Sequence, residues 1–211
     1  MTFEPTQNTT PSPLLPAAVC FDGCTGELGG GNLNTPLQKL RRTIGDLIGV
    51  FADQQAYNEI APGTLAYEAN LYLPVKQGTQ GGLFFGNTKV MPMMIGNEYN
   101  MTKGHFHKNR DAAEYYWCIA GEGALILMNE DRSCRAEYMT PGSLHYIPGR
   151  TAHRVANIGK HVLTLGACWP ADAGHDYETI AKQGFSARLL CVNGKPQLVD
   201  IDKRENEHDR C

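Results

Sequence analysis

Short apolar segments separated by turn-forming residues fill the chain from Leu65 onward, and this spacing constrains the fold more than any other feature of the sequence. The segments are rich in aromatic and β-branched residues, and Gly, Asn and Pro separate them in stretches such as GEG, PGS and NIGK. Many short strands at close spacing are typical of an all-β sandwich or barrel. The predicted strands are 65–73, 83–94, 114–120, 124–128, 143–147, 153–156 and 162–168.

Two further elements are predicted after these strands. The segment DYETIAKQGFS, residues 176–186, predicts one short helix. Residues 187–200 predict a β-hairpin, because Asn193-Gly194 is a preferred two-residue turn.

An arm with one amphipathic helix is predicted ahead of the barrel. Thr35-Pro36 is typical of a helix start, and apolar residues recur at helical spacing after it, which predicts a helix over 36–52 packed on the outside of the barrel. These apolar residues are Leu37, Leu40, Ile44, Leu47, Ile48 and Phe51. The expected organisation is a disordered tail (1–16), the arm and helix (17–64), one barrel domain (65–205) and a frayed tail (206–211).

Composition bears on nucleic-acid binding, disulfide formation and cellular location. The 211 residues carry a formal net charge of −3, which argues against a general nucleic-acid surface. The seven cysteines are odd in number and form no CxxC pair, so we expect no disulfide framework. Neither a signal peptide nor an apolar stretch of about 18 residues is present, so we expect no membrane span and a cytoplasmic protein.

Three histidines and one glutamate form the sharpest functional pattern in the sequence. His105 and His107 are two residues apart, so on an extended strand both side chains point to the same face. Glu114 follows at the head of one predicted strand, and His153 opens another. Imidazole and carboxylate ligands suit Zn, Fe, Mn, Ni or Co, whereas Ca²⁺ prefers oxygen ligands alone. His145 is the weaker candidate, since it lies in a different strand.

The spacing of these residues resembles the two motifs of the cupin superfamily. The first motif corresponds to His105, His107, Glu114 and Gly121, and the second to Gly142, Pro148, His153 and Asn157. The sequence around these motifs is similar to one branch of the cupin superfamily, the cupin-type glucose-6-phosphate isomerases of archaea and some bacteria. The matching stretches are TKGHFH (102–107), AEYY (113–116), PGSLHYIPGRTAHRVANIG (141–159) and PADAGHDYETIAKQGFS (170–186).

This resemblance implies a cupin (jelly-roll) barrel and an aldose–ketose isomerase that interconverts glucose 6-phosphate and fructose 6-phosphate. It implies one divalent transition metal per subunit, with iron first and Zn, Mn, Ni or Co as alternatives. The implied ligands are His105, His107, Glu114 and His153, and Glu114 is also the implied proton-transfer base.

The resemblance also implies a set of residues that contact the sugar phosphate. Thr88, Thr102 and the backbone of Gly104 are the expected phosphate donors, with Lys103 as second choice because strand alternation points it elsewhere. The remaining substrate contacts are Tyr67, Tyr116, His175 and Tyr177, and His175 is expected to assist ring opening or proton transfer. Trp169 stands where the family commonly has tyrosine.

Three alternatives stay open at the level of the sequence. The isomerisation can proceed by a hydride shift instead of an enediol. A non-haem iron dioxygenase uses the same ligand types to activate O₂, and a sugar-binding cupin uses the same fold without catalysis. A homodimer is expected because cupins commonly cover exposed edge strands by pairing with a second subunit.

Overall fold

Antiparallel sheets make up most of the described chain, which in the computed structural model comprises Ala17 and residues 19–22, 27–29 and 36–201. The predicted tails, 1–16 and 206–211, lie outside these residues. The strands are β1 (Cys20–Phe21), β2 (Leu28–Gly29), β3 (Gln38–Thr43), β4 (Leu65–Tyr72), β5 (Leu83–Val90), β6 (Met94–Ile95), β7 (Glu98–Tyr99), β8 (Glu114–Ala120), β9 (Gly123–Asn129), β10 (Cys134–Met139), β11 (Leu144–Ile147), β12 (Thr151–Asn157), β13 (Leu163–Pro170), β14 (Ala187–Val192) and β15 (Lys195–Asp200). The helices are α1 (Gln54–Glu59) and α2 (Tyr177–Gln183).

The sheets form the predicted all-β cupin barrel. The largest sheet has the order β11-β8-β13-β5-β4-β3, and it faces a sheet of order β10-β9-β12. A third sheet, β15-β14-β7-β6, joins the last two strands to two short strands from the middle of the chain, and β1 pairs with β2. The extended segment after β7 joins β12 through isolated bridges at Met101–Ala156 and His105–His153. This segment carries the first two predicted metal ligands, so it fixes their position against β12.

The core of the barrel follows from strand alternation. In β8, Glu114 and Cys118 are buried while Tyr115 is exposed, as expected for a strand with one face toward the core. β9 is buried on both faces, because Leu125 and Leu127 pack into the core while the sulfur of Met128 accepts a hydrogen bond from the backbone N–H of Ser186. The segment leading into β14 therefore covers the outer face of β9.

The helix predicted over residues 36–52 is wrong. Gln38–Thr43 forms strand β3, which pairs with β4 and extends the largest sheet, and Ile44–Leu47 forms a single 3-10 turn. The helix of the arm is α1, after the predicted segment. Apolar spacing correctly marked Ile44 and Leu47 as buried, but backbone pairing with the neighbouring edge decided the local conformation.

Other predictions need smaller changes. The strand predicted over 83–94 is divided into β5 and β6, because Pro92 cannot donate a hydrogen bond to the ladder. Strand β10 was missed, since its sequence CRAEYM is mostly polar. Helix α2 and the hairpin of β14 and β15 are confirmed, with positive φ angles of 51° at Asn193 and 73° at Gly194. Neither helix of the described residues has the length and apolar content that crossing a bilayer requires.

Two glycines with positive φ allow a matched test of this packing. Gly121 has φ +82°, and an added Cβ would lie 2.6 Å from the carbonyl oxygen of Val162 and 2.8 Å from the Cα of Leu163. Gly142 has φ +90° with open space around it. We expect Gly142→Ala to lower the free energy of unfolding by about 1 kcal/mol through backbone strain alone. We expect Gly121→Ala to lower it by about 3 kcal/mol, since a backbone clash adds to the strain.

Urea unfolding of the two variants measures this difference. Equal losses of stability would contradict the close approach of the β8–β9 turn to residues 162 and 163.

Candidate active site

The structure brings the four predicted metal ligands together in one cluster. His105 lies opposite His153, and the two exchange backbone hydrogen bonds of 3.2 Å (N–H of His105) and 3.0 Å (N–H of His153). Glu114 begins β8 on the facing sheet, and His107 follows His105 by two residues on the same face. One ligand atom from each of the four residues lies within 4.8 Å of all the others.

Backbone carbonyl groups orient two of the imidazole rings. Nδ1 of His107 donates to the carbonyl of Ala112 at 3.0 Å, and Nδ1 of His153 donates to the carbonyl of Thr151 at 3.3 Å. Each ring then presents Nε2 to Oε2 of Glu114, at 3.1 Å in both cases. A histidine whose Nδ1 donates to a carbonyl keeps the lone pair of Nε2 free for a metal.

Unsatisfied nitrogen atoms show that the cluster fits a cation. Nε2 of His105 is buried without a hydrogen-bond partner among the described residues, and Nε2 of His153 lies near Glu114 without hydrogen-bond alignment. Buried polar atoms are normally satisfied, so each orphan needs an explanation. Three nitrogen donors and one carboxylate oxygen match the ligand set of a divalent transition metal.

Burial and mutual contacts set the protonation of the cluster. Burial lowers the pKa of His105 well below its ordinary value, and the neighbouring imidazoles lower it further. Burial raises the pKa of Glu114, but the adjacent imidazoles of His107 and His153 outweigh this, so the pKa of Glu114 is lowered. For His107 the contacts with Glu114 outweigh burial and raise the pKa. An ionised carboxylate beside a neutral His105 suits cation binding.

A cavity of about 130 Å³, here called the central cavity, opens beside this cluster. It is lined by three of the ligands and by every residue predicted to contact substrate. The polar lining residues are Tyr67, Thr88, Thr102, Lys103, His105, Glu114, Tyr116, His153, His175 and Tyr177, together with the backbone of Gly104. The apolar part of the wall includes Leu40, Leu71 and Trp169.

Two tyrosine hydroxyl groups in the central cavity stay protonated. Burial raises the pKa of Tyr67 to about 12, although a hydrogen bond from the backbone N–H of Lys103 acts in the opposite direction. Burial, and then the charge of Glu114, raise the pKa of Tyr116 well above its ordinary value. Both phenols therefore remain hydrogen-bond donors over the physiological pH range.

The predicted phosphate donors Thr88, Thr102 and Gly104 all line the central cavity. Oγ1 of Thr102 accepts the backbone N–H of Val155 at 3.0 Å, which leaves its own proton to donate. Gly104 has φ +79°, and an added Cβ would lie 2.8 Å from the ring of Phe185. Glycine is required here by both the backbone and the packing.

The segment before α2 lines the central cavity through His175. It is hydrogen-bonded to residues 105–107, here called the ligand segment, which carry His105 and His107. The backbones of Phe106 and Asp176 exchange hydrogen bonds of 3.3 and 2.7 Å, and Arg110 donates to Oδ2 of Asp176 at 2.6 Å. The ring of His175 consequently lies 4.5 Å from that of His105 and stacks on Tyr177 at 5.6 Å. The sequence prediction missed Arg110 and Asp176, although Asp176 at the start of a predicted helix is a recognisable cap.

The structure also shows the surroundings of His145, the weaker metal-ligand candidate, and of Trp169. Nε2 of His145 lies 2.8 Å from the hydroxyl of Ser143, and Nδ1 lies 2.8 Å from Oε2 of Glu137. Since both ring nitrogens are occupied, His145 is not a member of the metal cluster. Trp169 lines the central cavity and packs edge-on against Phe84, with ring centroids 5.9 Å apart.

Solved structures provide a distant comparison. Oxalate decarboxylase from Bacillus subtilis is 19% identical, with a TM-score of 0.42 over 52% of this chain and 26% of that chain. A likeness at this level supports no conclusion about the reaction.

Sequence comparison is far more specific. Glucose-6-phosphate isomerase from Pyrococcus horikoshii is 36% identical over 80% of this chain and 89% of its own length. The protein of the same name from Thermococcus onnurineus is 36% identical over 89% of this chain and 96% of its own length. The protein of the same name from Thermococcus kodakarensis is 38% identical over 77% of this chain and 86% of its own length. The family model described as glucose-6-phosphate isomerase (GPI) matches residues 41–207. The chain therefore belongs to the cupin-type glucose-6-phosphate isomerase family.

Proposed function

We propose that this protein is a metal-dependent isomerase that interconverts glucose 6-phosphate and fructose 6-phosphate, a step of glycolysis and gluconeogenesis. The observation that carries the proposal is the position of the metal cluster in the wall of the central cavity, next to hydroxyl groups and a glycine backbone suited to a sugar phosphate. The relatives named for this activity match most of the chain at 36–38% identity.

The proposed metal ligands are His105, His107, Glu114 and His153. A divalent metal bound there supplies Lewis acidity for the oxygens on C1 and C2 of the sugar, where negative charge develops. We propose iron as the physiological ion, with Zn, Mn, Ni and Co as alternatives that the same ligand set accepts.

Glu114 is the proposed base. Its carboxylate takes the proton from C2 of the open-chain aldose and returns it to C1, while a proton passes from the C2 hydroxyl to the C1 oxygen. The reaction is redox-neutral overall and needs no external oxidant. The lowered pKa of Glu114 keeps the carboxylate ionised, which is the form a base requires.

The other lining residues have proposed roles in binding. Thr88, Thr102 and the N–H of Gly104 hold the phosphate, while Tyr67, Tyr116 and Tyr177 donate to sugar hydroxyls. His175 is proposed to assist ring opening, because it is held next to His105 and its pKa is lowered by burial, so the imidazole is neutral and able to accept a proton.

We further propose a cytoplasmic homodimer. Strand β11 is an edge of the largest sheet, and Leu144 and Tyr146 on its outer face are 65% and 52% exposed. The ring of Tyr146 lies 5.3 Å from that of Tyr115, which is also exposed. An exposed apolar edge of this kind favours pairing with a second subunit.

Metal removal tests the proposed function directly. We expect a chelator to abolish conversion of glucose 6-phosphate to fructose 6-phosphate in a coupled assay, and one of Fe²⁺, Mn²⁺, Ni²⁺, Co²⁺ or Zn²⁺ to restore it. Inactivity with all five ions would overturn the isomerase proposal.

Replacing the proposed base tests its role. We expect Glu114→Gln to lower kcat by about 100-fold or more, because a positioned base commonly contributes that much. Glu130→Gln, at an exposed position, serves as the matched control and should keep full activity. Metal content measured on both variants separates loss of the base from loss of the ion. A metal-loaded Glu114→Gln variant with wild-type kcat would exclude this role.

Turnover in D₂O distinguishes the two routes between C1 and C2. An enediol route with Glu114 as base predicts deuterium at the transferred position, since the carboxylate proton exchanges with solvent. Complete retention of the original hydrogen at every stage of turnover would instead support the hydride shift.

A further inference from the structure

A second cavity, here called the basic cavity, adjoins the central cavity at Lys103, which lines both. Its volume is about 360 Å³. It lies between the end of α2, the start of β14 and the residues after the 3-10 turn. Four of its lining residues are cationic, and none is acidic within the part of the chain that the structure describes. The cations are Lys103, Arg154, Lys182 and Arg188.

Arg154 is the most unusual of these residues. It follows the metal ligand His153 in β12, is only 5% exposed, and its Nε has no hydrogen-bond partner among the described residues. Nη2 is 3.4 Å from the carbonyl of Ala187, and the guanidinium lies 4.1 Å from the ring centroid of Phe185. The charge of Glu98 also acts on Arg154, but Glu98 is paired with Arg188. A buried guanidinium that lacks an ion pair of its own is unfavourable, so the cavity favours an anion.

Two of the positive charges in the basic cavity form no ion pair with a carboxylate of the described residues. Arg188 pairs with the buried Glu98 at 2.8 Å, and Lys182 pairs with Glu178 at 2.6 Å. Among the described residues, Arg154 and Lys103 form no ion pair. A phosphate group, with a charge near −2, matches two such cations.

We propose that the basic cavity binds a phosphate group, from inorganic phosphate or a small phosphate monoester, on Arg154 and Lys103. This site is separate from the sugar phosphate of the central cavity. The two sites share a wall, because an added Cβ on Gly104 would lie 3.0 Å from Cβ of Arg154 and 2.8 Å from the ring of Phe185. The planar guanidinium supplies the directional donors, and the lysine supplies a second charge.

Equilibrium dialysis of the metal-loaded protein tests this site. Radiolabelled phosphate is added without fructose 6-phosphate, because that sugar phosphate is itself a monoester and would compete at both cavities. We expect saturable binding, and the part of it that the lining variant Gln183→Glu loses relative to the control Gln197→Glu reports the basic cavity. For that part, stronger displacement by unlabelled sn-glycerol 3-phosphate than by equal unlabelled phosphate identifies a monoester as the preferred ligand, whereas weaker displacement identifies inorganic phosphate.

Variants locate the bound phosphate. Arg154→Met removes the buried charge and should abolish binding at the basic cavity. Gln183→Glu places a carboxylate at an exposed lining position of α2 and should weaken binding about tenfold with the fold intact. Gln197→Glu makes the same change on β15, outside the basic cavity, and should bind as the wild type does.

The proposal is overturned if no phosphate is bound, or if Arg154→Met and Gln183→Glu bind it as well as Gln197→Glu does. This outcome does not depend on isomerase activity. Labelled phosphate that enters the central cavity is bound equally by Gln183→Glu and Gln197→Glu, so the difference between these two variants identifies the basic cavity.

Discussion

The pairing of His105 with His153 is the interaction on which the rest of the site depends. Two reciprocal backbone hydrogen bonds, 3.2 and 3.0 Å long, join an irregular extended segment to β12, an edge strand of its sheet. They fix one ligand opposite another and hold the segment so that His107, two residues on, reaches the same carboxylate. A metal bound at this point would link the ligand segment, β8 and β12, so it would stabilise the fold as well as supply chemistry.

Burial around this pairing gives the site its electrostatic character. Glu114 is nearly inaccessible, and its carboxylate is ionised because the adjacent imidazoles of His107 and His153 lower its pKa against the effect of burial. The phenols of Tyr67 and Tyr116 remain protonated because burial in the cavity wall raises their pKa. Charges and dipoles in such a wall act on a bound sugar with little screening by solvent. On the opposite side of β12, Nε of the buried Arg154 has no hydrogen-bond partner among the described residues.

Much of the fold and the candidate site could be predicted from local sequence. Strand alternation placed His105 and His107 on one face, and Asn193-Gly194 specified a turn, because both signals involve neighbouring residues. Long-range pairing could not be predicted in this way. Residues 38–43 lie within a longer stretch, 36–52, whose apolar spacing predicts a helix, yet they pair with β4. The contact of Arg110 with Asp176 and the surroundings of Arg154 likewise join residues far apart in the chain.

The central claim is that one metal ion on the four-residue cluster makes the protein an isomerase. Stepwise addition of Fe²⁺ to the metal-free protein, with bound metal and isomerase activity recorded on the same samples, tests this claim most directly. The account predicts that activity rises in proportion to bound metal and stops rising at one ion per chain. Full activity in the metal-free protein, or a bound ion that produces no activity, would contradict it.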